Sequence, residues 1–143
     1  MTAALAPRLF AADPNVRYVA VNQNGRITEM EQRASWSSLN PSETDRLEEL
    51  VVNPIVLEAA SRRGNIDLDG VRAVIIRYGL LDQVILPFGS GHVSVGVQQG
   101  ADVVRIAAMA ADVLAAAEAE TGSSRRVGQV ERALRLALPR GMR

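Results

Sequence analysis

The order in which hydrophobic periodicities follow one another constrains this chain more than any single residue does. A short helical segment, about residues 2 to 12, precedes a hairpin centred on Asn22-Gln23-Asn24-Gly25. A longer helix follows over about 40 to 63, then three strands between 71 and 97 and an Ala-rich helix over about 101 to 120. Strands alternate with period 2 and helices with period 3.6, so the pattern predicts α-β-β-α-β-β-β-α. Five strands in two hairpin-linked blocks predict an α+β fold, an antiparallel sheet with helices on its faces.

Local signals support each element. Asp13-Pro14-Asn15 stops the first helix, and Val16-Arg17-Tyr18-Val19-Ala20-Val21 has the β-branched and aromatic content of a strand. Asn24-Gly25 supplies residues that tolerate positive φ in a tight turn. The second strand, 26 to 31, is polar enough to be an edge or to lie under a partner. Asn40-Pro41-Ser42-Glu43 is a strong helix start. Leu47, Leu50, Val51 and Ile55 then form a stripe at helical spacing that fades at Glu58. Pro54 cannot donate to the Leu50 carbonyl, which predicts a kink or restart near Asn53. Gly64-Asn65 is expected to end the helix. The three later strands are read at 71 to 78, 83 to 88 and 92 to 97, with Val93, Val95 and Val97 on one face. Asp102 suits the start of the closing helix, where Val103, Ile106, Ala110, Val113 and Leu114 share one face.

Composition excludes several classes of function. The 143 residues are 48% hydrophobic and 22% charged, enough for one compact domain and an appended helix. Sixteen basic residues, all Arg, balance sixteen acidic ones, so the whole molecule has no electrostatic reason to seek nucleic acid or anionic lipid. Cysteine is absent, which excludes disulfides, thiolate metal sites and cysteine nucleophiles. Charges interrupt every apolar stretch well before the roughly 20 residues a membrane span requires. The first eight residues do not read as a secretory signal. A soluble cytoplasmic protein is expected.

Candidate sites are few. His92 stands two residues after Ser90, but neighbouring side chains in an extended turn diverge and no acid is evident to orient the imidazole; a surface histidine at a strand end is expected. Gly89-Ser90-Gly91 precedes a strand rather than a helix, so it reads as a hairpin turn and not a phosphate loop. Asp67-Leu68-Asp69-Gly70 lacks the remaining ligands of a calcium loop and reads as a turn. No residue set makes a catalytic centre, and no cofactor or metal is expected. Trp36, between an exposed strand and a helix cap, is either a cover over the core edge or a contact for a partner.

After Thr121-Gly122-Ser123-Ser124 the sequence projects a basic amphipathic helix over 123 to 143. Val127, Val130, Leu134 and Leu138 lie on one side and Arg125, Arg126, Arg132 and Arg135 are its candidate partner-binding cations. Such a helix either packs its apolar stripe or binds phosphate, anionic lipid or an acidic protein face. With five aromatic residues in the chain, nucleic acid is disfavoured. The expected division is therefore a domain over 1 to 122 and a tail helix over 123 to 143.

In its order of elements the chain from about 3 to 120 resembles the roadblock dynein-light-chain family, which is profilin-like. The likeness rests on Asn24-Gly25, the helix beginning at Asn40, the closely spaced last three strands and the closing helix. The stretch 16 to 26 with the Val84-Ile85-Leu86-Pro87-Phe88 strand is also similar to small uncharacterised archaeal proteins. The roadblock resemblance implies a homodimer, with the helix from Asn40 and the strand from Val71 to Tyr78 at the subunit contact. It further implies a non-enzymatic regulatory or scaffolding role, with a small GTPase or another protein as partner. The alternatives are a small-ligand sensor domain, and phosphate or nucleic-acid binding through the tail.

Overall fold

The structure is a computed structural model that describes residues 3–33 and 43–121. Its elements are α1 (Leu5–Ala12), β1 (Val16–Gln23), β2 (Arg26–Gln32), α2 (Glu43–Leu47), a π-helical turn (Glu48–Val52), α3 (Asn53–Asp67), β3 (Val74–Arg77), β4 (Leu81–Phe88), β5 (Gly91–Gln98) and α4 (Val103–Thr121). The five strands form one antiparallel sheet in the order β2-β1-β5-β4-β3. The expected α+β class and element order are both present.

Strand alternation gives the sheet two unlike faces. Val19 and Val21 of β1, Val84 and Leu86 of β4, and Val93, Val95 and Val97 of β5 join α1 and α4 in one apolar core. From α4 come Val103, Ile106, Ala107, Ala110, Leu114 and Ala117, a stripe at helical spacing whose small residues allow close approach. The other face carries Tyr18, Asn22, Gln83, Ile85, His92 and Ser94, all buried beneath the continuous helical unit 43–67.

Several local devices place these parts. Asn24 and Gly25 have φ of 54° and 73°, the paired positive values of a two-residue hairpin turn between Gln23 and Arg26. The residue before α1, Ala4, has no capping side chain, so the Glu29 carboxylate of β2 accepts from the Leu5 and Ala6 amides at 3.0 Å each. Asp102 caps α4 by accepting from Arg105 N at 3.1 Å. Arg33 donates to the Val16, Phe10 and Asp13 carbonyls and lies over the Phe10 ring, fixing α1 to the start of β1.

Several boundaries differ from the sequence reading, and the differences around the end of the long helix and β3 have clear causes. The long helix continues past Gly64-Asn65 to Asp67, because the Gly64 carbonyl accepts from both Leu68 N and Gly70 N and closes the end there. A side chain at Gly64 would meet the Gly70 carbonyl oxygen at 2.9 Å. β3 spans only Val74–Arg77, since Asp69 and Gly70 with positive φ turn the chain and pairing with β4 begins at Val74. The turn closed by Tyr78 N and Leu81 O starts β4 two residues early, at Leu81. Residues 40–42 of the expected helix start lie outside the described residues.

Candidate functional site

The unit 43–67 faces the sheet with polar groups and turns apolar groups outward. Its fully buried residues are Glu49, Asn53 and Gly64. The stripe read at helical spacing, Leu47, Leu50, Val51 and Ile55, is 54%, 40%, 43% and 60% exposed. Val52, Val56 and Leu57 are half-buried, and no residue of the unit belongs to the apolar core.

Pro54 explains the geometry of the polar side. The Asn53 amide donates to the Glu48 carbonyl, one residue further back than in an α-helix, and Pro54 has no amide to give. The Glu49 carbonyl thus loses both of its regular helical donors. Asn22 Nδ2 of β1 takes their place at 3.1 Å. The expected restart near Asn53 is therefore a π-turn that rotates Glu49 and Asn53 onto the sheet.

The Glu49 carboxylate, itself 0% exposed, is the hub of the contact. Tyr18 Oη donates to Oε1 at 3.2 Å. Ser94 Oγ donates to Oε2 at 2.7 Å, and His92 Nε2 lies 2.8 Å from the same oxygen. Asn53 Nδ2 donates to Ser94 Oγ at 2.9 Å and reaches Glu49 Oε2 at 3.4 Å. Burial, and then the Glu49 charge, push the Tyr18 hydroxyl far up in pKa, so it remains a donor. A buried carboxylate would be costly alone, but here its oxygens receive donors from β1, β5 and α3.

This cluster is no catalytic centre. Ser94 spends its proton on Glu49 rather than on His92, so no nucleophile is paired with a base, and all three side chains are sealed from solvent. His92 is only 2% exposed, which overturns the expectation of a surface histidine. Antiparallel pairing with Asn22 and Pro87 puts His92 on the inner face of the sheet, while Ser90 stays in the turn with Gln23 and Asn24. Among the described residues no group of three or more His, Cys, Asp or Glu side chains is placed to hold a metal. None of their helices is long and apolar enough to cross a membrane.

The outward side is the better candidate for function. Beside the exposed stripe runs a groove of about 300 Å³ lined by Thr44, Leu47, Glu48, Val52, Tyr78 and Leu81. It joins the helical unit to the β3–β4 turn and the start of β4; Tyr78 and Leu80 of that turn and Ile75 of the edge strand β3 are also exposed. Within it burial, reinforced by Glu49 and Asp45, pushes the Glu48 carboxyl up to about 7. Burial and Glu48 raise Tyr78 as well. The groove can therefore accept an apolar side chain without facing a full negative charge.

No family model matches the chain, and no curated protein matches it. Solved structures do. A roadblock/LC7 domain from Streptomyces avermitilis superposes with a TM-score of 0.62 at 16% identity, covering 82% of this chain and 94% of that one. This chain has the roadblock fold. The gliding protein MglB from Thermus thermophilus matches at a TM-score of 0.57 and 13% identity, over 81% of this chain and 87% of that one. A structure described as MglB with tetrameric arrangement matches at 0.50 and 14%, over 82% and 95%. The sequence resemblance to roadblock domains is thus upheld at the level of the fold.

Of the site residues expected from sequence, Trp36 and the tail cations Arg125, Arg126, Arg132 and Arg135 lie outside the described residues, as does the tail helix at 123–143. Sequence reasoning missed Glu49 and Asn53 because both sit among apolar neighbours that look like the packing side. The available signal was the spacing itself: Glu49 and Asn53 are four apart on one helix face. His92 and Ser94 alternate with valines on β5.

Proposed function

We propose that this protein is a non-enzymatic, homodimeric interaction module whose dimer contact is the outer face of the unit 43–67 together with β3. The observation that carries the reading is the set of exposed apolar residues Leu47, Leu50, Val51 and Ile55 on that unit, beside a groove that carries Leu47 across to Tyr78. Exposed apolar residues grouped in this way mark interaction sites. A second copy fits for two reasons. β3 is an edge strand able to pair antiparallel with itself about a two-fold axis, and the chain has no net charge to oppose self-association. The fold likeness to roadblock domains and MglB supports this reading. The partner proposed for the dimer is a small GTPase, on the resemblance, with Trp36 and the Arg tail as further contacts.

Light-scattering mass in solution tests the dimer. The full chain and a chain ending at Gly122 should both have twice the monomer mass, and Val51→Glu should convert both to monomers with little change in unfolding midpoint. A monomeric wild type would refute the proposal. For the partner, binding to a purified small GTPase should differ between its GTP-analogue and GDP forms; equal binding to both would remove the regulatory reading.

A second reading rests on a different opening of about 410 Å³, lined by Leu5, Val21, Phe88 and Ala117 with Gln23 and Thr28. Apolar walls with a few polar groups suit a small ligand. Native mass spectrometry of the purified chain should then show added mass that an unfolding spray removes.

A further inference from the structure

We infer that the unit 43–67 is a latched arm, able to lift from an otherwise intact sheet, and that Glu49 is its latch. The two layers flanking the sheet are held by different physics. α1 and α4 share an apolar core with the valine face, so separating them exposes hydrocarbon to water. The arm lends no residue to that core. The arm covers Ala20 and Ile85 of the sheet, and what fixes its seat is one carboxylate and two amide side chains: Glu49 receives Tyr18, Ser94 and His92, Asn53 holds Ser94, and Asn22 holds the Glu49 carbonyl.

Such a seat opens more readily than an apolar one. When the arm lifts, each of these polar groups regains hydrogen bonds from water, whereas uncovered valines regain nothing. The seat is also imperfect: Asn53 Oδ1 and Gln83 Nε2, an acceptor and a donor buried on this same layer, have no partner. Burying them favours the closed position less than a fully satisfied interface would. The sheet needs nothing from the arm for its own ladder, since β1, β5 and β4 pair with one another directly. Because the arm's outer surface is the exposed apolar face, its seating sets how that face is presented to whatever binds there.

Native-state hydrogen exchange on the full chain decides the matter. In the wild type, amides of 48–67 should exchange at least ten-fold faster than those of β1, β4 and β5. Glu49→Gln keeps the shape but replaces an acceptor oxygen with a donor group. It should widen the gap by a further ten- to hundred-fold, roughly the range expected for losing a charged buried hydrogen bond, with the strand amides unchanged. Ser94→Ala, which removes one donor only, should act in the same direction and less. One common protection for arm and strands would overturn the latch, and that comparison stands even if Glu49→Gln fails to fold. Equal acceleration of arm and strands by Glu49→Gln, or none, would overturn it too. A second copy on the outer face would itself protect the arm, so the same comparison is made in Val51→Glu, where that face binds no second copy; one common protection for arm and strands there overturns the latch whatever the fate of the dimer.

Discussion

Two neighbours on β5, Ser94 and Val95, lie under opposite helical layers and show how differently the two faces of one sheet are held. Both are fully buried. Val95 meets α1 and α4 across hydrocarbon, where stability follows buried area and tight packing. Ser94 sits between the Glu49 carboxylate and the Asn53 amide, where stability follows satisfied hydrogen bonds. An apolar layer tolerates small shifts in register, whereas a polar one is correct only when each donor meets its acceptor. The contrast locates the rigid body of the protein on one side and its adjustable element on the other.

The sharpest way to break this contrast is to damage the apolar side. Leu9→Ala, at a site with no exposed surface, should lower the unfolding free energy by about 3 kcal/mol in urea titration and weaken every element together. Ser94→Ala should cost roughly 1–2 kcal/mol, because Glu49 loses a donor and Asn53 the nearer of its two acceptors. If the two losses were equal and equally global, the faces would not differ in kind.

Glu48, on the outward side of the arm, adds a dependence on pH. Its carboxyl, raised to about 7 in the fold, binds a proton that the unfolded chain has released between about pH 4.5 and 7. The folded state then holds more protons than the unfolded one, so this group's contribution declines as pH rises through that window. Glu48→Gln should therefore stabilise the protein at pH 8 by about 1 kcal/mol, after allowance for partial exposure, and do little at about pH 4. A gain of the same size at both pH values would show that charge is not the cause.

The smallest effect belongs to Asp13, at the junction of α1 and β1. The Asn15 amide and the Arg105 guanidinium at 2.9 Å hold its carboxyl below the ordinary range against the opposing effect of burial. Its contribution is present above about pH 4 and is lost as pH falls through the lowered value. Arg105→Ala should cost a few tenths of a kcal/mol at about pH 7, as for other ion pairs with an exposed partner, and nothing near pH 2.

Much of the architecture was legible in advance because it depends on local periods. The valines at 93, 95 and 97 and the stripe from Val103 to Leu114 marked the apolar face, and Asn24-Gly25 marked the first hairpin. The candidate site was not legible in the same way. Leu47, Leu50, Val51 and Ile55 announce a stripe at helical spacing, but spacing does not say whether that stripe meets this sheet or another molecule. Glu49 carried no signal of its role because its five partners come from positions 18, 22, 53, 92 and 94, brought together only when β1, β5 and the arm meet.

The sequence by itself determined which segments are helix and which are strand, where the turns fall, and that the valine side of the sheet must be covered, since period and turn chemistry act between near neighbours. Only the tertiary structure decided which way the arm faces. That choice depends on a buried carboxylate finding donors from two distant strands and on Pro54 freeing a carbonyl for Asn22, and pairing between distant groups has no period to read.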